Sequence, residues 1–244
     1  ASVRRFNAAT QTPGSEFQIG QDTFQGIYLA TDIAVAPGNP DLVAVARSKR
    51  GVSPPQAGVA VFDNGVQRPN TGPGHSQGSD NLAFSASAST LYGSGFNGAL
   101  ATMSINASGV TQTNAVSFPG VKIRFDNGRV YGSAGHIIDP VSGTLIGTFS
   151  GLSGVLPFTT DSAVGRAYYL TGSQQALDYS VTIRAFDMNT FLQDGSLTIP
   201  GINGQVRTLI RWGSNGLAFS TEGGQLFVIQ TSLIPSADPI PTPT

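Results

Sequence analysis

Apolar residues in this chain come in short runs separated by turn signals, the pattern of strands rather than of amphipathic helices. One recurring segment is an apolar strand, a turn and a second apolar strand. Its copies are Ile33–Pro37 with Leu42–Val45, Leu82–Ser85 with Thr90–Gly93, Ile123–Phe125 with Arg129–Gly132, Leu156–Phe158 with Arg166–Leu170, and Ile210–Trp212 with Gly216–Phe219. We label these strands A and B. A second segment alternates with the first and closes on Asp or Asn, at Val3–Asn7, Val59–Asp63, Thr102–Asn106, His136–Asp139 and Ile183–Asp187. Leu226–Gln230 keeps the pattern with Gln at the polar position. This is strand C, and its terminal Asp or Asn can start an Asx-turn by accepting a backbone N–H two residues on. Strand D follows at Glu16–Gly20, Val116–Gly120, Leu145–Phe149 and Ser196–Gly201.

Four short strands per unit, recurring every 33 to 54 residues, predict an all-β chain of four-stranded antiparallel blades, a β-propeller. A lone blade exposes both faces, whereas a neighbour on each side buries them. The tetrapeptide Phe-Asp-Asn-Gly at 62–65 and 125–128 is expected to turn a hairpin in each place, because both central residues of a type I′ turn need positive φ. The register yields six C strands but five A–B pairs. It therefore represents about six blades and predicts that residues 1–234 begin and end in mid-blade as part of a longer chain. The alternative is that Ala1 is a mature N-terminus and the ring closes irregularly. Residues 235–244 hold four Pro and read as a Pro/Thr-rich linker.

Composition narrows the function classes. The 244 residues carry 11% charged side chains, a net charge of -1, two His and no Cys. No basic excess exists for a general nucleic-acid binder, and no thiol for a disulfide scaffold or thiolate metal site. The sequence holds no apolar run long enough for a membrane span. Polarity carried by Ser, Thr, Asn and Gln suggests a secreted or cell-surface bacterial protein.

The blades resemble the seven-bladed β-propellers of bacterial extracellular and surface proteins, the class related to YVTN-type repeats. The resemblance rests on the strand C segments, on Ile210–Phe219 and on Ser196–Gly201, and extends to about Leu233. It implies a seven-bladed parent ring and carries over no catalytic motif. A literal Tyr-Val-Thr-Asn is absent, as are the WD-repeat and sialidase-type signatures.

Candidate chemistry is expected on the face made by D–A and B–C loops, where three long loops stand out: 47–56, 69–80 and 171–180. Binding candidates are the basic cluster Arg47, Lys49 and Arg50, then His75, Asp178 and Tyr179. No catalytic residue, metal ligand or cofactor is assigned: His75 and His136 are isolated, and no nucleophile elbow or calcium loop occurs. The column Val35, Phe84, Phe125, Phe158 and Trp212 recurs in every blade and is read as interblade core. These features favour a non-enzymatic interaction module for a protein or polysaccharide. The alternative is a propeller-type lyase or hydrolase acting on a polysaccharide or small cyclic substrate.

Overall fold

The computed structural model describes residues 1–95, 97–173 and 180–235. It is all-β, a β-propeller of four-stranded antiparallel blades. β1 (Ser2–Asn7) and β2 (Thr12–Gln18) form a two-stranded sheet, and β3 (Gln21–Asp22) with β4 (Gly26–Ile27) a small clasp. The first four-stranded sheet is β5 (Leu29–Ala36), β6 (Asn39–Ser48), β7 (Gln56–Asp63) and β8 (Val66–Gln67). The second is β9 (Asn81–Phe84), β10 (Thr90–Ser94), β11 (Ala99–Asn106) and β12 (Gly109–Ser117). The third is β13 (Ile123–Asp126), β14 (Arg129–Gly132), β15 (His136–Asp139) and β16 (Thr144–Thr148). The fourth is β17 (Phe158–Asp161), β18 (Arg166–Ser173), β19 (Ser180–Asp187) and β20 (Gln193–Ile199). A three-stranded sheet follows: β21 (Val206–Trp212), β22 (Gly216–Thr221) and β23 (Leu226–Gln230). Strands pair in chain order, so each sheet reads A-B-C-D. Among the described residues β1–β2 supplies C and D only, and β21–β23 lacks D.

The turn chemistry is as the residues demand. Asn64 and Gly65 have φ of 46° and 88°, and Asn127 and Gly128 have 45° and 79°. Both Asn-Gly pairs thus make the positive-φ turn, one joining β7 to β8 and the other β13 to β14. The strand C carboxylates and amides act as Asx-turn acceptors. Asn7 Oδ1 takes the N–H of Ala9 and Thr10, Asp139 Oδ1 that of Val141 and Ser142, and Asp187 Oδ1 that of Asn189 and Thr190. These backbone donors favour the ionised form and hold the Asp139 and Asp187 carboxyls below the usual range.

The chain divides into two compact units. The first is Ala1–Val130 with Ile138–Thr144, the second Tyr131–Ile137 with Leu145–Thr244. In the first unit the inner strand β5 lies against β9, and β9 against β13. Small inner-strand residues meet large ones there: Ala34 and Ala36 pack with Leu82 and Phe84, and Ala83 with Ile123 and Phe125. The β1–β2 sheet packs Val3 and Phe17 on Val43, Val45, Ala60 and Phe62 of the next sheet. In the second unit β21 lies against β17, and its cores gather around Tyr168, Leu170, Leu209 and Phe219, and around Phe149, Tyr169 and Phe186.

Two features of the strand reading change. The D strand after β7 is only Val66–Gln67, too short to leave an apolar signature. The recurring column is not uniformly core: Phe84 and Phe158 are buried, but Val35 and Trp212 are exposed at 57% and 53%. Trp212 is out of register by one residue. Leu209 is the buried residue that faces the preceding sheet, and a slip of one position moves a side chain to the opposite face.

Candidate functional site

Two places on the D–A and B–C loop face offer chemistry, one in each unit. In the first unit, the basic cluster is built into strand ends rather than displayed on a loop. Arg47 is the penultimate residue of β6, and B–C pairing brings its side chain inward to 5% exposure. Its Nη1 donates to Ile19 O and Gln67 Oε1, both at 3.2 Å, and its Nη2 to Ala57 O at 3.4 Å. The guanidinium also lies 4.7 Å from the Tyr28 ring centroid, a cation–π contact. Burial pulls its pKa down. Arg47 therefore ties three segments together.

Lys49 is engaged as well. Its Nζ lies 2.9 Å from Asp22 Oδ2, and Asp22 Oδ1 accepts the N–H of Phe24 and Gln25. Lys49 first, then these backbone donors, lower the Asp22 pKa to about 2, and the same pair raises that of Lys49. Arg50 is exposed and makes no ion pair among the described residues. His75 is exposed on a short 3-10 turn with φ of 59°, its carbonyl accepting the Gly78 N–H. Gln56 Nε2 donates to Asp80 Oδ2 at 2.8 Å nearby in the fold's B–C and D–A connections. Asp178 and Tyr179 lie outside the described residues. Of the predicted set, Arg47 and Lys49 serve the rim's own structure, while Arg50 and His75 project outward.

A residue not singled out from the sequence anchors the inner strands here. Asp32 on β5 accepts the N–H of Leu82 at 2.7 Å and of Ile33 at 2.9 Å. Desolvation raises its pKa, opposed by these hydrogen bonds and by the charges of Lys122 and Arg124. It is a carboxylate binding β5 to β9. Alternation could mark Asp32 as inward-facing, but not reveal the N–H that meets it.

In the second unit the loop face opens into a pocket of about 230 Å³. Leu156 and Pro157 lead into β17, Leu170 and Gly172 lie on β18, Ser180 and Val181 begin β19, Ile202, Gly204 and Gln205 lead into β21, and Val206 begins it. Gly201 and Gly204 have φ of 74° and 75°, so that connection folds back in a conformation L side chains resist. Among the described residues its lining holds no ionisable side chain. Such a cavity, somewhat below the roughly 300 Å³ of small ligand sites, fits one ring or branched side chain with neutral polar edges. Sequence reasoning missed it because the signals sought were charges and His.

A charged cluster occupies the other end of the second unit, by the A–B turns. Arg211 Nε contacts Asp161 Oδ2 at 2.6 Å, with side chains 5% and 8% exposed. It is a charge contact rather than an aligned hydrogen bond. Arg211 also donates to Gly216 O and Ser214 O. Arg166 bridges Asp187 at 2.8 Å and Asp194 at 2.5 Å. The Tyr168 hydroxyl is buried with no hydrogen-bond partner among the described residues, and burial pushes its pKa up to about 12. This arrangement keeps the phenol protonated and pins β17 to β21. Among the described residues no three His, Asp or Glu side chains gather as a metal site, and no helix is long and apolar enough to cross a membrane.

No family model matches the chain, and no curated protein does. Solved structures share its fold. A structure of U3-55K aligns with a TM-score of 0.61 at 12% identity, over 83% of this chain and 61% of that one. The hydrazine synthase of Kuenenia stuttgartiensis aligns with a TM-score of 0.59 at 9% identity, over 91% and 70%. The chain thus spans about six-tenths to seven-tenths of the length of these two. At such identities the likeness is one of fold, which hosts many unrelated functions.

Proposed function

We propose that this chain is a non-enzymatic β-propeller interaction module that binds a protein or polysaccharide through its D–A and B–C loop face. The single observation that carries the reading is the pocket of the second unit, uncharged among the described residues and walled by Leu156, Pro157, Leu170, Val181, Ile202 and Val206. A general acid or base needs a titratable group within hydrogen-bond reach of the reacting atoms, and among the described residues this lining supplies none. It supplies apolar walls with Ser180 and Gln205 at hand, the makeup of a site that recognises rather than reacts. The resemblance to bacterial surface propellers and the low charge of the chain support a secreted or cell-surface setting and a seven-bladed parent ring.

The test is a combined glycan and peptide array probed with the parent chain, Gln205→Trp and Arg50→Ala. Gln205 is exposed beside the pocket, so an indole there covers the opening without disturbing the core. Expected is a ligand lost on Gln205→Trp and kept on Arg50→Ala. Binding indifferent to Gln205→Trp, or turnover of an arrayed glycan, would overturn the proposal.

A further inference from the structure

We propose that Asn97–Gly98 is a self-modification site, where the chain's own backbone converts a neutral amide on the loop face into a carboxylate. The pocket plays no part in this inference.

The sequence holds five Asn-Gly pairs, at 64–65, 97–98, 127–128, 203–204 and 215–216. The chemistry open to each is the same. The glycine nitrogen gives its proton to a base in solution and attacks the asparagine Cγ. The Cγ–Nδ2 bond breaks, ammonia leaves, and a cyclic succinimide remains. Water then opens the ring. Addition at Cγ leaves aspartate, whereas addition at the main-chain carbonyl leaves isoaspartate, with a methylene inserted in the backbone. No change of oxidation state occurs. The step requires the nitrogen to reach Cγ, so the fold decides where it runs.

Four pairs are held against it. Gly65 lies under Phe17, 3.1 Å from where a Cβ would sit, and the Asn64 N–H is bound to Asp41 O at 2.8 Å. Asn203 is tied by its N–H to Gln225 Oε1 and by its carbonyl to the Gly223 N–H, and Gly204 is crowded by Gly223 N. Gly216 is buried in the β22 ladder, in register with Trp212 on one side and Gln230 on the other. Gly128 stands in open space, but Asn127 and Gly128 have φ of 45° and 79°. That type I′ turn points the glycine nitrogen away from the asparagine Cβ, and it must open first.

Asn97 is placed differently. It lies in the connection from β10 to β11, and both it and Gly98 are exposed. Its Oδ1 accepts the Ala99 N–H at 3.2 Å. This Asx-turn folds the side-chain amide back over the Gly98 peptide, and the donated proton draws electron density from Cγ, the atom under attack. A Cβ on Gly98 would meet nothing within 4 Å, so the ring and the water that opens it have room. Conversion adds one negative charge to a chain whose net charge is -1.

The 244-residue chain is aged in mildly alkaline buffer, native and in urea, and mapped by mass spectrometry that separates aspartate from isoaspartate. In the native chain Asn97 should convert at least about tenfold faster than each of the other four, which must open locally before they react. In urea the preference should vanish. Asn97→Gln cannot readily close the ring, so it should abolish the acidic species seen by isoelectric focusing while circular dichroism stays that of the parent. Faster conversion at any other pair, equal rates in the native chain, a preference that survives urea, or acidic species persisting in Asn97→Gln overturns the proposal.

Discussion

Removing Asp161 tests how the inner strands of the second unit are held together. The Asp161 and Arg211 side chains are almost wholly buried and meet at 2.6 Å across β17 and β21. Deleting one member of a buried pair leaves the other charge desolvated and uncompensated, which costs about 3–5 kcal/mol. Arg211 keeps two carbonyl acceptors, at Gly216 and Ser214, which places Asp161→Ala at the lower end, about 3 kcal/mol. For a chain of this size that lowers Tm by about 6–12 °C. Asp161→Asn preserves shape and removes charge, so it should cost nearly as much. The double variant Asp161→Leu with Arg211→Met replaces both ions by apolar groups and should return to within about 1 kcal/mol of the parent. Urea unfolding of the parent, Asp161→Leu, Arg211→Met and the double variant, followed by far-ultraviolet circular dichroism, yields the coupling energy. A coupling below about 0.5 kcal/mol, the limit for independent sites, would show that the contact does not join the strands.

The neighbouring cations Arg47 and Arg50 should behave oppositely. Arg47→Ala strips the partner from Ile19 O and Ala57 O and should cost about 2 kcal/mol or more in urea unfolding, whereas Arg50→Ala should stay within about 0.5 kcal/mol. The Asp22 carboxyl has a folded-state pKa of about 2, below its ordinary 3.8. Its stabilising contribution is therefore present above the ordinary value and lost as pH falls through about 2. Carboxyl NMR titration should find that midpoint, and Lys49→Met should move it back toward the ordinary value. Gly58 has φ of 82°, and a Cβ there would lie 2.4 Å from Gly72 O. Gly58→Ala should destabilise by about 2 kcal/mol or more in the same unfolding assay.

The fold was legible because its signals are local. The Asx acceptors closing β1, β15 and β19 and the two Asn-Gly turns do in the structure what their chemistry requires anywhere. Register was less secure where the sequence offers a bulky residue on each face: Ile210 and Trp212 outweigh Leu209 by eye, yet Leu209 is the one buried. The site was hardest to read, because what matters there is the partner across the fold. Arg47 looked like a loop cation beside Lys49 and Arg50 until β6 carried it beneath Tyr28 and against Ile19 O. Asp32 is bound by a backbone N–H fifty residues away. The pocket is a shape made by β18, β19 and the connections into β17 and β21, and shape leaves no motif.

Trp212 is the one tryptophan in the chain, and about half of it meets solvent on the outer face of β21. That makes it an intrinsic fluorophore with unusual habits. Emission from the native chain should already sit toward the red, so unfolding will change it little, and the indole is a poor reporter of stability. It is a good reporter of coverage instead. Any partner that lies across Ile210, Trp212 and Val228 will exclude water from the ring and shift its emission to the blue, with no label added.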